Sequence, residues 1–311
     1  MRTINREQVL AEAGHVVLLM GGTSPEREIS LLSGQAVASS LFSLGVHTTV
    51  IDVGENIVDE LRSAAPDLVV NMLHGQGGED GVIQGYLDLL QIPYTGSGVL
   101  ASALAMDKVK SKQIWCQMGL ATASFTVLHD DSDWGAIIAS FERAVVKPIC
   151  GGSSLGIAVV DSPESLEKAF TEACGFQQGV MAEKYIEGPE YSTGILDDEL
   201  MPTILLETDR GFFDFSAKYI DEGTRIICPA PLSIERMKAA EALVQGAYSA
   251  LGCSGLARVD FMEDADGEFF LLEVNTVPGM TSHSFVPKSA ARVGIDFDEL
   301  VLRIIDGILN G

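Results

Sequence analysis

Leu256-Ala-Arg258-Val-Asp260-Phe-Met262 and Glu268-Phe-Phe-Leu-Leu-Glu273-Val274, with Asn275 next, read as two strands of one hairpin. Asp266-Gly267 between them is a strong two-residue turn signal. With those two residues as the turn, 265 pairs with 268, 260 with 273 and 258 with 275. Arg258, Asp260, Glu273 and Asn275 then share one face, because side chains alternate along a strand. Opposed residues lie ~5 Å apart at Cβ, so Asp260 and Glu273 repel unless a cation joins them. An ordinary exposed hairpin would pair charges of opposite sign instead. An all-oxygen set of Asp, Glu and Asn suits Mg²⁺, which takes few protein ligands and shares the rest with phosphates.

The whole chain has 311 residues, enough for two or three domains and a substantial core. Its formal charge of −24 argues against nucleic-acid or anionic-membrane partners, which need basic patches. No apolar run approaches the ~20 residues of a membrane span. Arg2, Arg6, Glu7 and Glu12 precede only a short apolar run, so the N-terminus does not read as a signal peptide. Five cysteines without CxxC spacing fit a reduced cytoplasm, where they serve as small apolar residues.

Strand–helix alternation organises the first unit, residues 1–96, with 1–14 as an extension. Strands are predicted at 15–20, 48–53 and 67–73, with helices at 30–44 and 82–90. That order implies a parallel sheet with helices on its faces. Ligands bind beyond the carboxyl ends of such strands, where Gly21–Glu28 and His74–Gly81 fall. The second unit, 97–187, has a helix at 101–118 bearing Lys108, Lys110 and Lys112. Strands follow at 144–148 and 156–160, then a helix at 163–173 and a strand at 180–186. The third, 188–311, contains an irregular segment at 216–231, a helix at 234–251 and the hairpin.

Three further stretches carry chemistry. Gly21-Gly-Thr-Ser-Pro-Glu26-Arg-Glu28 lacks the G-x-G-x-x-G spacing of a dinucleotide loop. Glu28 suits a helix cap, whereas Glu26 suits an ammonium group. Lys147-Pro-Ile-Cys-Gly151-Gly-Ser153-Ser154-Leu-Gly156 is not a P-loop, because its lysine precedes the glycines and both flanks are strands. It reads as a hairpin lid whose N–H groups, hydroxyls and lysine cradle phosphates, or as a plain mobile turn. Glu183-Lys184-Tyr-Ile-Glu187-Gly-Pro-Glu190 reads as an edge strand with hydrogen bonds for an adenine, Glu190 facing a ribose.

Taken in order, these pieces resemble the ATP-grasp enzymes, and within them the D-alanine–D-alanine ligase family. The residues that carry the resemblance are Gly21–Glu28, Leu73-His-Gly-Gln-Gly-Gly-Glu-Asp-Gly81, Tyr94-Thr-Gly-Ser-Gly98, Met106-Asp-Lys108, Ala217-Lys-Tyr219 and Glu273-Val-Asn-Thr-Val-Pro-Gly-Met-Thr-Ser-His-Ser284. The fold implied is α/β with α+β elements: an N-terminal parallel-sheet βαβ domain and two further α+β domains enclosing ATP. The resemblance implies that Lys108, Lys147, Ser153 and Ser154 meet phosphates, and that Glu183, Lys184 and Glu190 meet adenine and ribose. Asp260, Glu273 and Asn275 match the ligands of two Mg²⁺ ions, replaceable by Mn²⁺. Glu26 matches the residue that binds the first D-alanine's ammonium, with His74 beside it. Lys218 and Ser284 match contacts to the second carboxylate. Arg258 and the Gly279 N–H match oxyanion stabilisers. Ser153 and Tyr219 match a network with Glu26 that closes a loop over the site. A cytoplasmic homodimer making D-alanyl-D-alanine for peptidoglycan is also implied.

The chain departs from the family's pattern at Ile149-Cys-Gly151, where a polar pair is usual, and at Phe285, where leucine is frequent. Alternatives at this point are a D-alanine–D-lactate ligase, a nucleotide binder without catalysis, and a nicotinamide oxidoreductase. The last fails on loop spacing. The complete Arg258, Asp260, Glu273 and Asn275 set argues against the second.

Overall fold

The computed structural model describes residues 3–151, 156–175, 179–207 and 225–310. Strands β1 (His15–Gly21), β2 (His47–Val53) and β3 (Leu68–Asn71) form a parallel sheet in the order β2-β1-β3. Val16 to Leu19 and Leu68 to Val70 are buried on both faces, which is why these strands read as continuous apolar runs. Helix α2 (Arg27–Ser43) starts three residues before the helix the sequence predicts, and α3 (Ile57–Ala64) was not foreseen. Leu61 of α3 is fully buried, and Ile57 and Ala64 on the same face pack partly against the core. α4 (Val82–Leu90) lies where the sequence predicts it.

The N-terminal extension is helical. α1 (Arg6–Glu12) is capped by Asn5, whose side chain accepts from the Gln8 N–H. Val9 and Ala13 join a core that also holds Leu196, Leu256, Val277, Met280 and Ile305. The first parallel sheet therefore packs against the chain's last helix, Phe297–Asn310, and the hairpin's exit.

A helix predicted at 101–118 is two, α5 (Val99–Met106) and α6 (Lys108–Gln117). Asp107 separates them in an extended conformation (φ −87°, ψ 100°), and its side chain caps α6 through the Lys110 N–H. Asp as an N-cap outweighs continuation of the helix, and Lys108 becomes the first residue of α6. The central sheet comprises β4 (Phe125–Leu128), β5 (Ala144–Pro148), β6 (Ala158–Val160) and β7 (Val180–Lys184), in the order β4-β7-β5-β6. β5 and β6 pair antiparallel, as the expected hairpin requires. β7 is not the edge strand expected: Glu183 faces Phe125 on one side and Val145 on the other. The missing neighbour was β4, a four-residue strand, Phe-Thr-Val-Leu, too short for its alternation to stand out.

The third sheet runs β11 (Arg225–Ile227), β10 (Ile204–Glu207), β8 (Glu190–Leu196), β12 (Leu256–Glu263), β13 (Phe269–Asn275), with β9 (Glu199–Leu200) paired to β8. Asp260 pairs with Glu273 and Arg258 with Asn275, as the sequence predicts. The route is different. The turn has three residues, because the Asp264 N–H donates to Glu268 O and Gly267 adopts φ 85°. Phe261 then pairs with Leu271, and a bulge at Leu272 restores the register at Asp260. The bulge has a consequence for the site. Phe269, Leu271 and Val274 all lie in the core against the helix Ile234–Ala250. Without the extra residue Glu273 would follow Leu271 inward; with it, Glu273 and Asn275 turn to the open face.

Candidate active site

Two cavities meet along one wall. The larger, about 680 Å³ and open to solvent, is lined by Glu26, His74, Arg258, Gly279 and Ser284 among others. The smaller, about 320 Å³, is lined by Met106, Lys108, Gly151 and Thr276. Glu79, Glu273 and Asn275 line both. The loops after β1 and β3 supply Glu26, His74 and Glu79, the hairpin supplies Arg258, Glu273 and Asn275, and its exit supplies Gly279 and Ser284, while Met106 and Lys108 come from α5 and α6.

Glu26 sits at the start of α2 but makes no side-chain cap. Its carboxylate lies against Gly75, where a Cβ would come within 2.3 Å of Oε2, and Gly75 has φ 73°. Only glycine fits there on both counts. Ser24 ties the two loops together by donating to His74 O (2.6 Å) and accepting from the Glu26 N–H (3.1 Å). His74 is buried, with Nε2 3.3 Å from Ser33 Oγ, and Ser33 also accepts from the Met280 N–H (3.1 Å). Burial, then the charge of Arg258, bring the imidazole down to about 4, so it is neutral at pH 7.

That shift has a sign. Between pH 4 and 6.5 the unfolded chain binds a proton that folded His74 refuses, so stability rises with pH through this window and is complete above it. The contribution is about 3 kcal/mol. His74→Asn is expected to flatten the difference in urea midpoint between pH 4 and pH 7. An unchanged difference would assign the acid sensitivity elsewhere.

Arg258 grips Asp260 with two nitrogens, Nη2 to Oδ2 at 2.7 Å and Nε to Oδ1 at 3.0 Å. Ser192 donates to the same Oδ1 at 2.6 Å, and Asp260 is 2% exposed. The guanidinium stacks 5.5 Å from the Phe285 ring, which gives that unusual residue a place in the cleft. Asn275 donates to Glu79 Oε1 (2.8 Å) and accepts from Arg258 Nη2 (3.0 Å). Glu79 also accepts from the Gly75 N–H (2.6 Å). Burial, followed by the charge of Glu26, lifts its carboxyl well above the usual range, against the pull of the Gly75 and Val277 N–H groups and Arg258. Glu79 lines both cavities, yet the sequence reading gave it no role. It stood inside the quoted loop, but nothing in the spacing told it from Asp80, which caps its own turn through the Gly77 N–H.

Lys108 Nζ reaches Glu273 Oε2 (3.3 Å) and donates to Gly151 O (2.5 Å), joining α6, the hairpin and the glycine-rich connection. Lys147 forms a close ion pair with Glu183, whose other oxygen takes Lys112 Nζ at 2.9 Å. Burial alone would raise the Glu183 carboxyl, but the two lysines bring it down to about 2. Glu183 thus spends its carboxylate on lysines, and both edges of β7 are taken. The expectation that this is an edge strand is corrected: β4 and β5 pair with it on either side, and the Lys184 N–H donates to Ser124 O. Lys184 is exposed and Glu190 opens β8; neither lines the two cavities. Ser284 caps the turn before the helix Phe285–Arg292, accepting from the Thr281 N–H at 3.0 Å, and lies against Gly279. Ser153, Ser154, Lys218 and Tyr219 lie outside the described residues.

Comparison with known proteins decides the family. A profile described as D-ala D-ala ligase C-terminus matches residues 114–306, and one described as D-ala D-ala ligase N-terminus matches 52–97. This chain belongs to the D-alanine–D-alanine ligase family. It is 49% identical to the D-alanine–D-alanine ligase of Nitrosococcus oceani, over 96% of this chain and 94% of that one. Its identity to the ligase of Chromohalobacter salexigens is 47%, over 94% of each chain. The crystal structure of the Bacillus anthracis ligase superposes with a TM-score of 0.86 at 34% identity, covering 96% of this chain and 98% of that one. The same ligase complexed with ATP gives 0.84. These relatives do not favour the D-lactate alternative. Among the described residues no helix is long and apolar enough to cross a membrane.

Proposed function

We propose that this chain joins two D-alanine molecules with consumption of ATP, giving D-alanyl-D-alanine for peptidoglycan precursors. The observation that supports this best is the shared wall. A cavity suited to amino acids and a cavity bearing Lys108 and the glycine-rich connection meet at Glu79, Glu273 and Asn275.

In the first step a carboxylate oxygen of one D-alanine attacks the γ-phosphorus, and ADP leaves. In the second the amine of another D-alanine attacks the acyl carbon. Phosphate departs with the bonding electrons and the amine gives up a proton. Both steps build negative charge, so positioned cations matter more than a side-chain nucleophile. In this reading Glu26 holds the first ammonium, and neutral His74 adds no repulsion. Arg258 and the Gly279 N–H face the oxyanion. Ser284, with Lys218, takes the second carboxylate. Lys108 and Lys147 take phosphates with Ser153 and Ser154, while Glu183, Lys184 and Glu190 belong to the adenine and ribose side. Ser153 and Tyr219 close the loop with Glu26 and keep water from the acyl phosphate.

The oxygen-only chemistry of Asp260, Glu273 and Asn275 fits Mg²⁺ or Mn²⁺. Each carboxylate already draws a cation, Arg258 on Asp260 and Lys108 on Glu273. Bound there, two such ions would neutralise the phosphates and align the transferred group. A cytoplasmic homodimer is part of the same proposal, and sedimentation would test the dimer.

The test is incubation with Mg-ATP and D-alanine. ADP, phosphate and dipeptide are expected in equal amounts, with D-lactate a poor acceptor. Phosphate release without dipeptide would contradict the proposal.

A further inference from the structure

Lys112 is fully buried, one helical turn beyond Lys108 on α6. Lysine is almost never so buried without a partner. Its ammonium donates to Thr122 Oγ1 (2.6 Å) and Leu271 O (3.4 Å) and pairs with Glu183 at 2.9 Å. Glu183 also holds Lys147, so two ammonium groups share one carboxylate and the cluster carries a net charge of +1. A pair of one lysine and Glu183 would have been neutral and cheaper to bury. The surplus lies at the end of β5, where Lys147 leads into the glycine-rich connection. Leu271 directly precedes the bulge that turns Glu273 outward, so the same ammonium touches the strand that builds the wall.

We propose that Lys112 is a positioning residue for the nucleotide's phosphates: by neutralising Glu183 from the core side, it leaves the charge of Lys147 to a polyphosphate anion. The inference rests on the reading of Lys147 as phosphate-facing. Two consequences separate it from a role in packing alone. Removing Lys112 must weaken ATP but not adenosine, since only the former carries the anion. The loss must also depend on Glu183, since a neutral residue there needs no neutralising.

The experiment measures dissociation constants of Mg-ATP and of adenosine for the wild type, Lys112→Met, Glu183→Gln and the double variant. Lys112→Met is expected to weaken Mg-ATP tenfold or more and adenosine less than twofold. In the Glu183→Gln background the same change is expected to weaken Mg-ATP less than threefold, a coupling that a double-mutant cycle isolates. Equal losses for ATP and adenosine, or equal losses in both backgrounds, would overturn the inference. If Lys112→Met does not fold, Glu183→Gln alone decides. Its cluster carries +2, and Mg-ATP affinity is expected to fall more steeply with salt than in the wild type; an unchanged slope overturns the inference. A wild type that binds adenosine and Mg-ATP equally well would overturn both the inference and the reading of Lys147.

Discussion

Glu273→Gln is expected to fold as the wild type does and to lose about 10²–10³ in kcat, or roughly 3–4 kcal/mol of barrier stabilisation. Glu273 stands on the wall between the two cavities and meets Lys108 at 3.3 Å. Glutamine keeps the shape and one acceptor oxygen but removes the charge that holds Lys108 and that would bind a divalent ion. Folding should survive because Glu273 is only partly buried and its strand is anchored by Leu271 and Val274 in the core. The measurement is turnover at saturating D-alanine with Mg²⁺ varied from sub-millimolar upward. A folded variant with near-normal turnover would remove Glu273 from the proposed metal set.

The second large effect falls on stability. Arg258→Met leaves Asp260 buried with Ser192 as a remaining partner, and is expected to cost about 3–5 kcal/mol. Adding Asp260→Asn removes the stranded charge and should recover much of that loss, while activity stays low because the guanidinium is gone. Thermal unfolding of the single and double variants checks this. A double variant no more stable than Arg258→Met would mean that the cost comes from lost packing against Phe285, not from the unpaired carboxylate.

The same hairpin shows what a sequence reveals and what it withholds. Alternation put Arg258, Asp260, Glu273 and Asn275 on one face, and they are there. Yet a two-residue turn was expected where three residues turn the chain, and the bulge at Leu272 compensates by one residue. Local turn chemistry signals that the chain reverses; it does not count the residues against a core that must bury Leu271 and Val274 together. The parallel first sheet was legible because its strands are buried on both faces and so read as unbroken apolar runs. The split at Asp107 was not, because a capping residue looks ordinary inside a helical pattern until the glycine-rich connection draws Lys108 toward Gly151. The partners of Glu79 and Lys112 were not legible for a related reason. Each is defined by charged or polar partners far away in the chain, Glu79 by Asn275 and Lys112 by Glu183, and no local period encodes such pairs.

The central claim is that the shared wall is where ATP's γ-phosphoryl group meets an amino acid's carboxylate. D-Alanine labelled with ¹⁸O in both carboxylate oxygens tests it most directly. Attack of that carboxylate on phosphorus, followed by expulsion of phosphate by the second amine, must carry one labelled oxygen into the phosphate released. Singly labelled phosphate, formed in step with the dipeptide, is the expected result. Unlabelled phosphate accumulating alongside dipeptide would contradict the account.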